Sequence, residues 1–416
     1  MAGTHARGDG RLVLDTEVAV VGAGAAGLSL AHRLCAPGPG GRPPGGGVVL
    51  IEAPAGPLRP PERTWCFWEE PGGDWDDLLV RSWDRLRVRA PDGGCVTVSP
   101  GPLHYKMLRS DTFERAVRAR LGPAATCVEA TVRAVRDRPA GAEVLGVTPD
   151  GRRLRVRARW VFDSRLPLRP PPARTALLQH FRGWFVHTEG PVFDPSTAEL
   201  MDFRVPQPRR GLAFGYVLPL AADRALVEYT EFSPAPLHRT GYDRLLRQYT
   251  DHVLGLGRFG VTGTEQGVIP MTDGRHRRRT GRSVFRIGAA GGATRPSTGY
   301  TFAGVQRQTR AVAAALREGR VPVPPAAHPA RARAMDAVVL RALDTGRVDG
   351  PSFFTGLFRT VPTERLLRFL DGDTRLLEDL GIGLRTPVLP MLRTAAELPA
   401  LPRRPVRAPR REGNRP

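Results

Sequence analysis

Cysteine is scarce in this sequence of 416 residues, and its four cysteines form no short motif. They are Cys35, Cys66, Cys95 and Cys127. None of them forms a CxxC or CxxxC pair, so the spacing excludes the common zinc and thioredoxin-like motifs. We expect reduced thiols in a cytosolic setting and no bound metal.

Long apolar runs are also missing. No stretch of about 18 apolar residues occurs, which is the length that a helix needs to cross a bilayer. Residues 1–11 are polar and glycine-rich and lack the apolar centre of a signal peptide. We therefore expect no membrane-spanning helix, and any contact with a membrane would be peripheral.

Lysine is nearly absent. Lys106 is the only lysine in the sequence, so almost all of the positive charge behind the formal net charge of +21 comes from arginine. With Ala, Gly and Pro used heavily, this composition indicates a codon bias toward arginine. Aromatic residues are not interleaved with the basic runs, as binding of single-stranded nucleic acid would require. We expect no nucleic-acid partner. The charge can still serve contact with anionic lipid, and the arginine run at 275–282 is either a solvated turn or such a contact.

The first fifty residues have the pattern of a βαβ unit. An apolar, β-branched run at 16–21 predicts a buried strand, and helical spacing then reaches residue 34. A Pro/Gly-rich loop at 35–47 and a short strand at 48–52 follow.

A glycine motif, G-x-G-x-x-G, lies between the first predicted strand and helix. It places Gly22 in a tight turn, Gly24 where a backbone can approach a pyrophosphate, and Gly27 where helix and strand pack closely. Glu52 ends the second strand, where a carboxylate can accept hydrogen bonds from ribose hydroxyls. The motif predicts a dinucleotide site formed by Gly22, Ala23, Gly24, Ala26, Gly27 and Glu52.

A second glycine-rich turn, at 287–292, favours FAD over NAD. It follows a predicted strand at 284–288 and precedes a predicted helix at 302–318. Flavoproteins of the hydroxylase type close their flavin site with such a late turn, which places Gly288 and Gly291 beside the cofactor. Many of them carry Asp where this chain has Ala289, so that carboxylate contact with the ribityl chain is missing here. Arg109, which opens a predicted helix at 109–121, is either a cofactor contact or a solvated surface residue.

The pattern along the whole chain predicts an α/β fold with four parts. Residues 14–168 and 265–320 would form a discontinuous Rossmann-like FAD-binding domain of the hydroxylase-type flavoproteins. Residues 169–264 are rich in alternating strands and would form an antiparallel sheet for the substrate. Helices are expected over 330–400, and residues 402–416 have the composition of a disordered basic tail.

Five segments in order along residues 15–370 resemble the lycopene cyclases of carotenoid-making bacteria and plants. They are Arg63-Thr64-Trp65-Cys66-Phe67-Trp68, Tyr216-Val217-Leu218-Pro219, Leu226-Val227-Glu228-Tyr229-Thr230, Gly267-Val268-Ile269-Pro270-Met271, and Gly288 through Arg295-Pro296-Ser297-Thr298-Gly299-Tyr300. The last is the most specific, since a Pro-Ser-Thr-Gly-Tyr segment after the late glycine turn occurs in few other flavoproteins.

The resemblance implies a redox-neutral cyclisation of the ends of lycopene to β-ionone rings, by way of γ-carotene to β-carotene. It implies reduced FAD, with NAD(P)H as reductant and with Thr298 and Gly299 beside the cofactor. No His or Cys lies in a recognisable flavin-attachment motif, so we expect FAD to be bound without a covalent link. It also implies peripheral association with a membrane. The alternatives are a flavin-dependent monooxygenase, a prenyl-chain reductase of the same fold, and a carotenoid- or lipid-binding protein without catalysis.

Glu228 is the candidate catalytic acid. Protonation of an alkene needs a neutral acid, and burial among apolar groups keeps a carboxyl protonated. Glu228 follows three apolar residues in a predicted strand and matches the Glu-x-Thr segment that carries the essential acid of the family. Relatives often have a second acid where this chain has Tyr229. A glutamate facing solvent is the other interpretation.

Two aromatic groups have a structural and a functional interpretation. Trp65 and Trp68, after Arg63, are either core residues or a wall for carotenoid or flavin, where aromatic faces would favour a cation. Phe353, Phe354, Leu357 and Phe358 share one face of a predicted helix. Such a stripe is either core or a membrane-dipping or tunnel-mouth element.

Overall fold

A computed structural model describes residues 3–7, 10–36 and 47–406. The predicted loop at 35–47 lies mostly outside these residues, as does the predicted tail from residue 407 onward. No described helix is long and apolar enough to cross a membrane.

The described residues form eighteen strands and nine α-helices. The strands are β1 Gly3–Arg7, β2 Arg11–Val21, β3 Val48–Glu52, β4 Thr64–Glu69, β5 Leu79–Trp83, β6 Arg85–Arg89, β7 Cys95–Val98, β8 His104–Arg109, β9 Ala125–Glu129, β10 Thr131–Arg138, β11 Gly141–Val147, β12 Arg153–Asp163, β13 Ala176–Thr188, β14 Thr197–Asp202, β15 Leu212–Ala221, β16 Arg224–Ser233, β17 Phe259–Thr272 and β18 Val284–Arg286. The helices are α1 Ala25–Cys35, α2 Ser110–Leu121, α3 Arg239–Gln248, α4 Phe302–Arg317, α5 Ala330–Asp344, α6 Gly350–Thr360, α7 Thr363–Asp371, α8 Leu376–Gly383 and α9 Val388–Glu397.

The first sheet contains the predicted βαβ unit. Its strand order is β10-β11-β12-β2-β3-β9, with β1 also on β2 and β18 also on β12. The pairs β2–β3, β3–β9 and β12–β2 are parallel. The end of β2 is buried over four consecutive residues, as a parallel strand covered on both faces requires. The helices α1 and α4 pack together, and their apolar residues share one core with β2 and β3.

The second sheet is the antiparallel one predicted from the strand-rich middle of the chain. Its order is β17-β13-β16-β15-β14-β6-β7. Strand β17 is continuous to Thr272, so the predicted boundary between 264 and 265 falls inside a strand. Three glycines and a proline within β17 conceal its pattern. Strands β6 and β7 also join this sheet from the segment assigned to the first domain, through a parallel pairing of β6 with β14.

The C-terminal helices cover the second sheet. The four apolar residues of α6, Phe353, Phe354, Leu357 and Phe358, are buried in the same core as strands β6, β14 and β15. The membrane-dipping interpretation of this helix is therefore wrong. The predicted disordered tail also begins too early, because Arg404 pairs with Ala173 through backbone hydrogen bonds in both directions. Arg403 adds an ion pair with Asp273, so this part of the tail is fixed.

Candidate active site

The two glycine turns meet at the end of the first sheet. A Cβ added to Gly288, whose φ is +65°, would lie 2.7 Å from the Cβ of Ala26. A Cβ at Gly27 would lie 1.8 Å from the carbonyl oxygen of Gly22, so that glycine is required by close packing alone. A Cβ at Gly24, by contrast, would meet no described atom within 4 Å. Packing within the protein therefore does not require a glycine at this position, whereas a ligand approaching the backbone would.

The start of α1 fits a phosphate group. Gly24 is the N-cap, and no described side chain caps the first turn, so its N–H groups point toward the turn without a side-chain partner. Glu52 ends β3, where its carboxylate contacts Arg118 and, at 3.5 Å, Arg59. Ala23 and Ala26 belong to the same turn and helix start. These residues are arranged as the sequence predicts, and their contact with a cofactor stays a prediction.

A cavity of about 180 Å³ lies between the second sheet, the three-stranded sheet β4-β8-β5 and the segment after the late glycine turn. Its walls include Thr298, Gly299 and Tyr300 of that segment. The Thr298 hydroxyl is buried and has no hydrogen-bond partner in the part of the chain that the structure describes. A buried hydroxyl without a partner is costly unless a ligand satisfies it. This segment can therefore bind a cofactor at the cavity wall.

Glu228 lines the cavity. It lies on β16, is 7% exposed, and accepts a hydrogen bond of 2.6 Å from the hydroxyl of Thr230. Burial and then the negative charge of Glu265 raise the pKa of Glu228 to about 8, against the opposing effect of the Thr230 hydrogen bond. The side chain is therefore a neutral acid at pH 7. The interpretation of Glu228 as a strand glutamate facing solvent is wrong.

Glu265 is a second buried carboxyl that the sequence analysis did not single out. Gly183 on β13 pairs with Glu228 of β16 on one side and with Glu265 of β17 on the other. Residues directly opposite in antiparallel strands point to the same face, and Gly183 puts no side chain between the two acids. Both acids line the cavity. The position of Glu265, two residues before the family-like segment at 267–271, was the signal available in the sequence.

The environments of the two acids differ. Glu265 accepts hydrogen bonds from Thr64 at 2.7 Å and from Arg109 at 3.1 Å. Burial raises the pKa of Glu265, while the Thr64 hydrogen bond and the charges of Arg109 and Arg63 act against this rise. Glu228 has no cationic partner among the described residues. The geometry therefore assigns the negative charge of the pair to Glu265 and the proton to Glu228.

Comparison with models of known protein families identifies the family of this chain. The family model described as Lycopene cyclase protein matches residues 17–396, which is nearly the whole chain. The chain belongs to the lycopene cyclase family. The resemblance inferred from the five segments is thereby confirmed. No curated protein matches the chain.

Solved structures share the fold of this lycopene cyclase family member. A geranylgeranyl bacteriochlorophyll reductase-like protein from Thermoplasma acidophilum has a TM-score of 0.60 at 13% identity, covering 94% of this chain and 100% of its own. The p-nitrophenol 4-monooxygenase of Pseudomonas putida has a TM-score of 0.57 at 17% identity, covering 94% and 99%. A flavoprotein/dehydrogenase from Cytophaga hutchinsonii has a TM-score of 0.60 at 13% identity, covering 92% and 99%. These likenesses concern the fold, and they confirm the predicted hydroxylase-type flavoprotein architecture with its C-terminal helices.

The family-like aromatic residues surround the acid pair. Trp65 and Trp68 line the cavity, whereas Arg63 is exposed and does not. Trp68 meets Tyr300 edge to face with ring centroids 4.5 Å apart. The Tyr105 hydroxyl bonds those of Tyr216 and, at 3.0 Å, Tyr300. The aromatic wall proposed from the sequence is present in the fold, and its ligand stays a prediction.

Arg109 lies at the junction of β8 and α2. Its guanidinium pairs with Glu265 and lies 4.7 Å above the ring of Phe185. Only 20% of its side chain is exposed, so the solvated surface interpretation is wrong. The polar contacts that the structure shows are with Glu265, Glu62, Asp111 and Thr64. Contact with a cofactor stays a prediction.

Two other acids of this sheet are excluded as proton donors by their contacts. Asp202 pairs with Arg204 and accepts a hydrogen bond from the Tyr249 hydroxyl. Glu231 lies on the opposite face of β16 from Glu228 and accepts a hydrogen bond from Tyr229. Neither lines the cavity. No group of three or more His, Cys, Asp or Glu among the described residues is arranged to hold a metal ion.

Proposed function

We propose that this protein is an FAD-dependent lycopene β-cyclase, which closes the linear ends of lycopene into β-ionone rings. The carrying observation is the neutral, buried carboxyl of Glu228, which faces an apolar, aromatic-lined cavity beside an ionised carboxylate. A monooxygenase or reductase would need no such acid, and a protein that only binds a carotenoid would not need one either. Membership of the family supports lycopene as the substrate class, and the β-ionone ring is part of the proposal.

The proton of Glu228 begins the reaction. It is transferred to a terminal trisubstituted alkene, one carbon gains the hydrogen, and its neighbour becomes a tertiary cation. A nearby double bond of the same chain attacks that cation and closes the six-membered ring. The ring cation then loses a proton to the carboxyl pair, which leaves the final double bond. Substrate and product have the same composition, so the cyclisation consumes no electrons.

The cavity favours ring closure over the addition of water to the cation. Its walls include the aromatic rings of Trp68 and Tyr300, and the face of an aromatic ring attracts a positive charge. The carboxylate of Glu265 adds a fixed negative charge where the dielectric is low, and such preorganised charge stabilises cationic transition states strongly. Apolar lining also keeps water from adding to the cation.

FAD fits the residues at the start of α1 and at the cavity wall. Gly22, Gly24 and Gly27 with the N–H groups of α1 would hold the pyrophosphate, and Glu52 would hold the ribose. Gly288, Gly291, Thr298 and Gly299 would flank the flavin end. In its reduced, anionic form FAD would supply further negative charge next to the substrate cation, and NAD(P)H would serve to keep it reduced.

Product analysis tests the reaction. Purified protein is incubated without oxygen with FAD, a reductant and lycopene in detergent micelles, and the pigments are separated by chromatography. Cyclic carotenes should form without consumption of reductant in proportion to product. Stoichiometric loss of NAD(P)H with saturated products would support a prenyl-chain reductase instead, and a requirement for oxygen would support a monooxygenase.

Replacement of Gly24 by valine should abolish flavin binding while the fold survives. Gly24 has φ −86° and ψ −170°, which valine adopts without strain, and the added Cβ meets no described atom within 4 Å. The side chain would instead occupy the space of the pyrophosphate. We expect Gly24→Val protein to purify colourless, with a melting temperature close to that of the wild-type apoprotein. Full yellow flavin in this variant would refute the assignment of the site.

Gly27→Val is the matched comparison. Its Cβ would lie 1.8 Å from the backbone oxygen of Gly22, so this variant should fold poorly whether or not flavin is present. The contrast between the two variants separates a glycine required by a ligand from one required by packing.

A further inference from the structure

The helices α8 and α9 expose an unusual set of large apolar side chains. Fifteen exposed large apolar side chains occur among residues 10–36 and 47–406, and seven of them fall within 376–392. We call these seven the leucine surface: Leu376, Leu377, Leu380, Leu384, Val388, Leu389 and Leu392. Their exposure ranges from 40% to 80%. Soluble proteins rarely concentrate exposed apolar side chains in this way unless the surface binds something.

Helical spacing directs the leucine surface away from the protein body. Leu377, Leu380 and Leu384 are separated by three and four residues and therefore share one helix face. The sides of α8 and α9 that pack inward carry Ile382 and Thr394 instead. These leucines thus form no part of the core beneath them.

The charges around the leucine surface are positive. Both acidic residues of this segment form ion pairs with arginines of the protein itself. Glu378 pairs with Arg365 and Arg368. Asp379 pairs with Arg331. Three exposed arginines, Arg375, Arg385 and Arg393, form no ion pair with any described residue. A row of leucines flanked by unpaired arginines is typical of helices that lie in the interface of an anionic bilayer.

The leucine surface adjoins the wall of the cavity. Leu367 and Leu370 of α7 line the cavity, and α8 begins five residues after α7 ends and packs against it. A membrane held at α8 and α9 would therefore lie near the helix that borders the cavity. An apolar substrate dissolved in lipid would have a short path to that wall.

We infer that the leucine surface docks this protein onto an anionic lipid bilayer, with α8 and α9 lying in the interface. The biological role of this docking rests on the proposed function. Binding to lipid is inferred from the leucine surface alone. A second copy of the chain is a less suitable partner for the leucine surface. A two-fold interface brings the same patch together from both copies, so the unpaired arginines would repel one another there.

Two surfaces that the sequence suggested for membrane contact are less suitable. The arginine run at 275–282 is partly held by the protein, with Arg278 donating to the carbonyl of Pro324 and Arg279 to those of Gly281 and Arg282. The aromatic stripe of α6 is buried. The membrane contact expected from composition is therefore assigned to α8 and α9.

Flotation with vesicles tests the inference. Full-length protein is mixed with vesicles of phosphatidylcholine containing phosphatidylglycerol and is centrifuged through a density gradient. The test variant is Leu377→Ser/Leu384→Ser, and its control is Leu166→Ser/Leu168→Ser, which alters two exposed leucines outside the leucine surface. Burial of a leucine is worth about one to two tenfold steps in affinity, so the loss of two leucines should weaken vesicle binding by about a hundredfold or more. The control should bind as the wild type does.

The outcomes are distinct. Weaker flotation of the test variant, with unchanged turnover of lycopene in detergent micelles, supports the inference, as does weaker flotation of Arg385→Gln/Arg393→Gln. Equal flotation of wild type and test variant overturns it. A wild-type dimer that this variant converts to a monomer, with no vesicle binding, overturns it in favour of a second copy. Flotation does not depend on turnover. If the test variant floats more weakly than a wild type that forms no cyclic carotenes, the result supports the surface while contradicting the proposed function.

Discussion

Glu228→Gln should retain its flavin and its fold yet accumulate uncyclised lycopene in a carotenoid-producing host. Glutamine preserves the volume of the side chain and can still accept a hydrogen bond from Thr230, so the packing of β16 is unchanged. It cannot release a proton to an alkene. General acid catalysis contributes typically ~10²–10⁴ in rate, and the loss should reach at least this range because no second neutral acid without a cationic partner lines the described cavity. Red instead of orange pigment reports the result by eye, and chromatography gives the rate.

Glu231→Gln is the matched control for this prediction. It makes the same chemical change three residues away on the same strand, but on the opposite face, where Glu231 accepts a hydrogen bond from Tyr229. We expect this variant to cyclise lycopene at close to the wild-type rate. If Glu228→Gln also formed cyclic carotene at that rate, the proton would come from another group, and the proposed role of Glu228 would be wrong.

The sequence was sufficient for those parts of the site that are local along the chain. The glycine turn at 22–27 lies between a strand and a helix whose patterns are strong, and three consecutive apolar residues precede Glu228 in its strand. Each of these features is fixed by neighbours within about ten residues. Both were therefore predicted with the correct element and the correct position.

The partner of Glu228 could not be found in this way. Glu265 reaches it across β13, through the register of two strand pairs that join residues about 45 and 80 positions apart. No local pattern encodes that register, and the glycines and proline of β17 hide even the strand. The same reason explains the missed strand β6, whose neighbour β14 is about a hundred residues further along the chain. Strand β7 joins the sheet only through β6.

The membrane contact shows a different limit. Composition predicts that a basic chain can bind lipid, but it does not say which arginines are already paired. Arg278 donates a hydrogen bond to the carbonyl of Pro324, whereas Arg385 and Arg393 have no acidic partner among the described residues. Exposure of the leucines beside them depends on what packs against α8 and α9. Only the three-dimensional arrangement supplies that information.

Glu265→Gln should shift the alkaline limb of the pH–rate profile to lower pH. Activity requires protonated Glu228, so the wild-type rate is expected to fall as pH rises through about 8. The negative charge of Glu265 contributes to that raised pKa, after burial. Its removal, which also leaves the positive charge of Arg109 uncompensated, favours the ionised form of Glu228. On the alkaline limb the protonated fraction falls about tenfold for each unit of displacement, so the loss at pH 8 should exceed the loss at pH 6.

A second variant, which should shift the alkaline limb in the opposite direction, distinguishes this electrostatic role of Glu265 from a structural one. The hydrogen bond from Thr230 lowers the pKa of Glu228, so Thr230→Val should shift the same limb to higher pH. Variants that merely loosened the cavity would lower the rate at every pH and would leave the limb in place. Rates of single-turnover cyclisation, measured from pH 5.5 to about 9 with flavin kept reduced, resolve the two directions. If both variants shifted the limb the same way, the charge of Glu265 would not control the proton of Glu228, and the pair would have to be assigned differently.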